Sequence, residues 1–338
     1  MAQLDVLITA ASRRVALVRG FQSALQEHGV HGRVLVTDVN PLSPAVHFAD
    51  AAFRVPMAGD VGYVDALRSL CRAEGVGLLV PTIDDELPIL AGARGRFEDD
   101  GVQVAVSPVE TTTVCNDKHA TCLHLRRSGV RAATSYLPGD VPSPPPLPLF
   151  VKPRFGRGGV GAFHVCRESE LEFFLAYVPD PVVEEYLDGP EYTIDVLCDF
   201  DGAALAVVPR ERVVIRAGVF DRGRTVADPR LIDLGLACAR AIRFAGAVNI
   251  QCRIVDGTPV VFEINPRFSG GIPLTIAAGA HFPAMLVQLA LGRSVAPAVG
   301  RFRDGLWMTC YEAGIYLPDG DADRLRPVAD QPALQEAG

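Results

Sequence analysis

The chain has 338 residues, 49% of them hydrophobic, with 32 glycines and a formal net charge of −8. That length suits two or three domains with a sizeable core, and the composition fits a packed α/β protein better than a disordered chain. The acidic balance argues against nucleic acid as the main partner, since a phosphate backbone needs a basic footprint.

The opening MAQLDVLITAASRR starts directly on a strand pattern, without a basic region leading into an apolar signal segment, so a cytoplasmic location is expected. Nowhere does an apolar run approach the roughly 18 residues of a membrane span, so no membrane partner is expected. Strand and helix then alternate. The expected strands are 4–9, 33–39, 77–83 and 102–107, and the expected helices 15–29, 63–75 and 86–101. Alternation with short turns means a parallel sheet, whose ligands bind beyond the C-terminal strand ends. Those ends read TAASRR, TDVNP and PTIDDE, which makes Ser12, Arg13, Arg14, Asp38, Asp84 and Glu86 candidates for a substrate pocket. Ser12 and Asp85 would equally suit helix caps. A dinucleotide signature after the first strand is lacking, which argues against a nicotinamide enzyme.

Residues 137–149 are proline-rich and read as a linker. Beyond it come strands at 150–153, 181–187, 191–200, 203–209 and 212–217, with helices at 169–178 and 229–246. This half is α+β, and the last twenty or so residues read as a polar surface tail. Eight cysteines lie scattered without a C-x-x-C pair, so buried reduced thiols are expected rather than disulfides or zinc ligands. His119 and His124 read as ordinary helix residues.

The segment VVFEINPRFSGG (260–271) sets a carboxylate, an amide and a guanidinium at alternate positions of an apolar strand. Upstream, VNIQCRIV and the turn residues Asp256, Gly257 and Thr258 make a hairpin with it. A two-residue loop would set Gln251 opposite Phe262. A three-residue loop pairs 249 with 265, 250 with 264, 251 with 263 and 252 with 262, which gives one coherent apolar face. That register gathers Asn249, Gln251, Glu263 and Asn265 on one polar face. Oxygen ligands alone suit Mg²⁺ rather than zinc, and magnesium commonly bridges to phosphates, so the patch implies a nucleotide. KPRFGRGGVG (152–161) offers Lys152 and a glycine loop for phosphate, without being a P-loop. Lys118 stands at a helix start capped by Asn116 or Asp117, and Arg210, Arg212 and Arg216 share one strand face. Glu184, Glu185 and Glu191 are placed to grip an adenosine, although surface glutamates would look the same.

Taken in order, NDK, VKPRFGRGGVG, EEYLDGPEYTIDV, VNIQ and FEINPRFSGG resemble the ATP-grasp superfamily, and more closely its carbamoyl-phosphate-synthase-large-subunit-like branch of carboxylate–amine ligases. The resemblance implies an α/β N-terminal parallel-sheet (pre-ATP-grasp, Rossmann-like) domain over 1–115. It then implies an α+β ATP-grasp fold: an N-terminal part with the glycine-rich lid over 116–187, a C-terminal part over 188–317, and the tail 318–338. Lys118, Lys152, Gly156, Gly158, Gly159, Glu184, Glu185, Leu187, Glu191 and Asn249 would bind ATP. Gln251, Glu263 and Asn265 would hold one or two Mg²⁺, with Mn²⁺ as a substitute. Arg267, Arg216 and Asn265 would be catalytic. Arg210, Ser269 and Gly270 join the substrate candidates. The implied reaction activates a carboxylate as an acyl-phosphate and couples it to an amine. The pocket candidates Arg13, Arg14, Asp38, Asp84 and Glu86 suggest a polar, zwitterionic substrate of the amino-acid type, and a homodimer is a common assembly for soluble enzymes. The alternatives are phosphorylation of a carboxylate or carbamate without ligation, and a non-catalytic ATP-binding regulatory module. Complete carbamoyl-phosphate synthesis is not expected, because that enzyme has two such halves and this chain has the length of one.

Overall fold

The computed structural model describes residues 2–156, 159–216, 218–318 and 320–328. They form two compact units: 1–109 with 281–296 and 311–338, and 110–280 with 297–310. Segment 281–296, which the sequence places in the second half, is thus part of the first unit.

The first unit follows the expected alternation: β1 (Asp5–Ile8), α1 (Val15–Glu27), β2 (Val34–Asp38), β3 (Ala51–Arg54), α2 (Tyr63–Glu74), β4 (Val76–Val80), α3 (Leu87–Gly92), α4 (Arg94–Glu98) and β5 (Gln103–Val104). β1 and β2 are buried at every position, as a parallel sheet covered on both faces requires. The strand β3 is absent from the sequence reading, since AAFR is short and carries no alternation. The helix expected over 86–101 breaks at Ala93 (φ −96°, ψ 1°), between two glycine-containing turns.

The second unit begins with α5 (Val109–Asn116), most of whose length lies in it, and continues with α6 (Lys118–Arg127), β6 (Ser135–Tyr136), β7 (Leu149–Pro153), β8 (Phe163–Val165), α7 (Glu168–Tyr177) and β9 (Pro181–Glu185). Then come β10 (Glu191–Cys198), β11 (Ala204–Arg216), β12 (Val219–Thr225), α8 (Pro229–Ala241), β13 (Gly246–Val255), β14 (Thr258–Asn265) and α9 (Ile272–Ala277). α10 (Phe282–Ala290) returns to the first unit, where it packs on α1; β15 (Trp307–Thr309) belongs to the second, and β16 (Arg326–Pro327) to the first.

The first unit's sheet runs β16-β3-β2-β1-β4-β5, all parallel. Arg326 and Pro327, read as tail from the sequence, pair with Phe53 and Arg54, and the flanking Leu325 and Val328 are buried. The second unit has two antiparallel sheets, β6-β9-β7-β8 and β14-β13-β10-β11-β12-β15. The two strands expected over 203–217 are one long strand, β11, irregular between Arg212 and Ile215. Apolar side chains of α6, α8, β10 and β13 fill the core behind the larger sheet. Six cysteines are buried, but Cys166 and Cys310 are exposed, and all eight are free. Among the described residues, no helix is long and apolar enough to cross a membrane.

Candidate active site

The hairpin of β13 and β14 combines the two registers considered from the sequence. Its loop is the two-residue Asp256–Gly257 turn, with Val255 opposite Thr258 and both loop residues at positive φ (48° and 77°). Phe262 is then an extra residue in β14: Cys252 faces Val261 rather than Phe262, and the next pair is Gln251 with Glu263. Asn249 faces Asn265 and Ile250 faces Ile264. The bulge therefore restores the polar face that a bulge-free two-residue hairpin would lose, and it also re-aims Phe262.

Cross-strand pairing extends this face over β10 and β11. Thr193 pairs with Gln251 and Arg210, and Asp195 pairs with Asn249 and Val208. Glu191 pairs with Arg253. Side chains at alternate positions share a face, so Gln251, Glu263, Asn249 and Asn265 lie beside Glu191, Arg212 and Arg253. Asn265 Nδ2 donates to Glu263 Oε1 (2.9 Å), and Arg267 Nη2 donates to Asn265 Oδ1 (3.2 Å). Gln251 Nε2 reaches Asn249 Oδ1 at 3.4 Å.

On the smaller sheet, Glu184 faces Phe150, two residues before Lys152, so lysine and glutamate meet diagonally on one face. Lys152 Nζ lies 2.7 Å from Glu184 Oε2 with both side chains buried, and it donates to the Phe262 carbonyl at 3.3 Å. Burial disfavours the ammonium, yet Glu184 and Glu263 together raise the Lys152 pKa above its ordinary value. Lys152 is therefore a fixed cation. Asp117 caps α6 through the Ala120 amide (3.0 Å), and Lys118 Nζ donates to the Gly156 carbonyl (2.7 Å).

These groups enclose a cavity of about 410 Å³, a size ordinary for small-ligand sites. Of the sequence candidates, Lys118, Lys152, Gly156, Gly159, Glu184, Glu185, Leu187, Glu191, Gln251 and Glu263 line it. Gly158 lies outside the described residues. Asn249 and Asn265 are buried on the same sheet face. Arg212, one of the three arginines expected on a shared strand face, lines the cavity as well, and so do Tyr186, Ile215, Arg253 and Phe262, which are not among the expected site residues. Arg212 and Arg253 were legible as the alternate-position neighbours of Arg210 and Gln251. Phe262 depends on a bulge that no local pattern announces.

The arginines of β11 do not act alike. Arg210 is wholly buried, with Nε and Nη2 donating to Asp195 (2.8 and 3.0 Å) and Nη2 also to Ser269 Oγ (3.0 Å). Arg216 lies past the irregularity, where its side chain is 62% exposed and 3.8 Å from Asp221. Gly270 is exposed beside the buried Ser269.

The remaining candidates belong to the first unit. Ala10 and Ser12 both adopt φ 46°, a left-handed conformation rare outside glycine, as the chain leaves β1. The Ser12 amide donates to Asp38 Oδ2 (2.7 Å) and the Asn40 amide to Oδ1 (3.0 Å). Arg14 Nη2 donates to the Thr82 carbonyl (2.7 Å), while Ser12 and Arg13 are exposed and Asp84 is half-buried. Glu86 is fully buried, accepting from the Thr82 amide (2.7 Å), the Ile83 amide (3.1 Å) and the Tyr63 hydroxyl (2.6 Å). Its carboxyl is thereby committed to shaping the PTIDDE turn.

Burial raises the Glu86 pKa above the ordinary glutamate value, against those hydrogen bonds. A carboxyl with a raised folded pKa contributes stability that is complete below the unfolded pKa and is lost as pH rises through the folded one. Wild-type protein is expected to lose stability across that window relative to Glu86→Gln, which keeps the amide contacts. Melting both proteins from about pH 4 to about pH 8 checks this. A wild-type advantage that grows with pH would refute it.

Residues 177–314 match the family described as ATP-grasp in the biosynthetic pathway with Ter operon, and residues 6–105 match the PylC-like N-terminal domain. Residues 177–314 are thus an ATP-grasp domain, preceded by a PylC-like N-terminal domain. The chain is 29% identical over 178 residues to the arginine-specific carbamoyl phosphate synthase large chain of Geobacillus stearothermophilus, a match covering 48% of this chain and 17% of that one. It thus spans about a sixth of the length of such curated relatives. Among solved structures, the L-amino acid ligase of Bacillus licheniformis superposes with a TM-score of 0.69 at 20% identity, covering 90% of this chain and 78% of that one. The biotin carboxylase domain dimer of Hydrogenobacter thermophilus 2-oxoglutarate carboxylase, solved with MgADP, ADP and bicarbonate, gives 0.68 at 18%, covering 89% and 73%. Both likenesses establish the fold.

Proposed function

We propose that this ATP-grasp chain is an ATP-dependent ligase that phosphorylates a carboxylate and joins the resulting acyl group to an amine, with amino-acid-type substrates. The observation that carries the reading is the register of β13 and β14. It sets Gln251 against Glu263 and Asn249 against Asn265, with Arg267 bonded to that face, in the wall that also holds Lys152. A module that merely binds nucleotide has no need of a guanidinium fixed beside an oxygen-donor patch. The likeness to an L-amino acid ligase supports the substrate class.

The donor set fits magnesium: amide and carboxylate oxygens on one face, and no cluster of three His, Cys, Asp or Glu among the described residues to suit a transition metal. Gln251, Glu263 and Asn265 would hold the ion, which supplies charge neutralisation at the phosphates. In this reading Lys118 and Lys152 anchor the phosphate chain, and the glycine loop of the 116–187 part covers it. The substrate carboxylate attacks the γ-phosphorus, ADP departs, and the amine then displaces phosphate from the acyl carbon. Arg267 stabilises charge on the transferring phosphoryl group, and most of the catalysis is positioning and electrostatics. Arg13, Arg14 and Asp84 are the substrate candidates best suited to a zwitterion.

Incubation with Mg-ATP and pools of amino acids and small carboxylates, with ADP and AMP quantified separately, tests the reading. Carboxylate-dependent ADP and phosphate are expected. AMP with pyrophosphate would mean adenylation and overturn the mechanism.

A further inference from the structure

Arg212 has no part in the reaction as derived so far, yet its setting is unusual for an arginine. Tyr192 pairs with Glu211 and Glu191 with Arg253, so Arg212, Glu191 and Arg253 form a row across β11, β10 and β13 on the cavity face. Arg253 takes the carboxylate, its Nη2 donating to Glu191 Oε2 at 2.8 Å. Arg212 Nε lies 3.3 Å from Glu191 Oε1 but is not aligned for a hydrogen bond. Its Nη2 donates to the Gly218 carbonyl at 3.2 Å. The side chain is only 6% exposed, and Nε–H remains buried without an acceptor. Burial pushes this guanidinium's pKa below its ordinary value, against the pull of Glu191.

Leaving a charged donor buried and unmatched is costly, so such groups call for an explanation. Arg210, two residues earlier on the strand, also leaves its Nη1 buried without a partner, but its Nε and Nη2 are held by Asp195 and it does not line the cavity. Arg212 instead lines the cavity beside Ile215 and Gly218. Its row holds two guanidiniums and one carboxylate, an excess of positive charge that favours an anion over a neutral hydroxyl.

We infer that Arg212 is a phosphate-binding residue of the nucleotide site, its Nε–H completed by an oxygen of the bound nucleotide's phosphate chain. The inference rests on the ATP reading above and adds a contact to it. Glu191, held by Arg253, keeps its place in the row when Arg212 turns to the anion.

Isothermal titration of wild type, Arg212→Gln and Arg212→Lys with MgADP and with adenosine tests it, with a thermal melt confirming the fold of each variant. Arg212→Gln is expected to weaken MgADP binding by about ten- to a hundred-fold, the range of one charged hydrogen bond, while adenosine binding changes by less than about three-fold. If Arg212→Gln does not fold, Arg212→Lys carries the same comparison, since an ammonium cannot restore the planar Nε–H donor. Unchanged MgADP affinity, or equal losses for MgADP and adenosine, would overturn the inference while leaving the ATP reading intact. A wild type that binds neither compound would overturn both.

Discussion

Glu263→Ala is expected to lower ATP turnover by roughly 10³-fold or more while leaving the protein folded. On β14, Glu263 is the carboxylate of the oxygen patch, opposite Gln251 and accepting from Asn265 Nδ2. It is also the second carboxylate that holds Lys152 as a cation. Truncation therefore removes the one formal negative charge among the magnesium candidates and loosens Asn265, to which Arg267 is bonded. Stability should change little, because Glu263 is half-buried and its loss leaves Lys152 paired with Glu184 at 2.7 Å. Steady-state ADP release, read beside a thermal melt, separates the effects. Turnover within tenfold of wild type, at saturating magnesium, would remove Glu263 from the metal site.

Why this residue was legible, and others were not, follows from how each signal is encoded. Glu263, Asn265 and Arg267 recur at every second position of an apolar run, and strand geometry converts that spacing into a shared face. The pairing of Gln251 with Glu263 was also legible, because only that register leaves a coherent apolar face behind it. The route to it was not: the Asp256–Gly257 turn and the bulge at Phe262 compensate each other, and a bulge is chosen by tertiary fit. In the first unit the parallel strands announced themselves as continuous apolar runs. β3 did not, since AAFR has neither length nor alternation, and β16 is set by pairing with a strand far away in sequence. The three arginines of β11 show the limit most clearly. Alternation puts them on one face, but the irregularity after Arg212 sends Arg216 to solvent, and only Asp195, on another strand, makes Arg210 structural.

That last pairing gives the largest stability effect expected of a single substitution. Asp195 is 1% exposed and accepts from Arg210 Nε (2.8 Å), Arg210 Nη2 (3.0 Å) and Thr275 Oγ1 (2.5 Å). Arg210 is itself fully buried, lies over the Phe220 ring at 4.8 Å, and has Nη1 within 2.1 Å of where a Cβ on Gly271 would stand. Asp195→Ala leaves this guanidinium without its counter-charge and without room to reach water, at a cost of about 3–5 kcal/mol. Breaking the exposed Arg230–Asp228 pair by Asp228→Ala removes a helix cap as well as an ion pair, yet should cost only about 1–2 kcal/mol. The sequence contains one tryptophan, Trp307, and it lies on β15 of the same sheet, so its fluorescence reports unfolding of the second unit alone. Denaturant titrations followed by that signal should therefore show a much larger midpoint shift for Asp195→Ala than for Asp228→Ala. Equal shifts would mean that Arg210 finds another partner when Asp195 is gone. Since Arg210 Nη2 also bonds Ser269, directly after the Arg267–Phe268 segment, the variant that still folds is expected to lose turnover as well. Buried pair and candidate active-site face are thus joined through one short loop: the ion pair buried in the sheet also anchors the segment that carries Arg267.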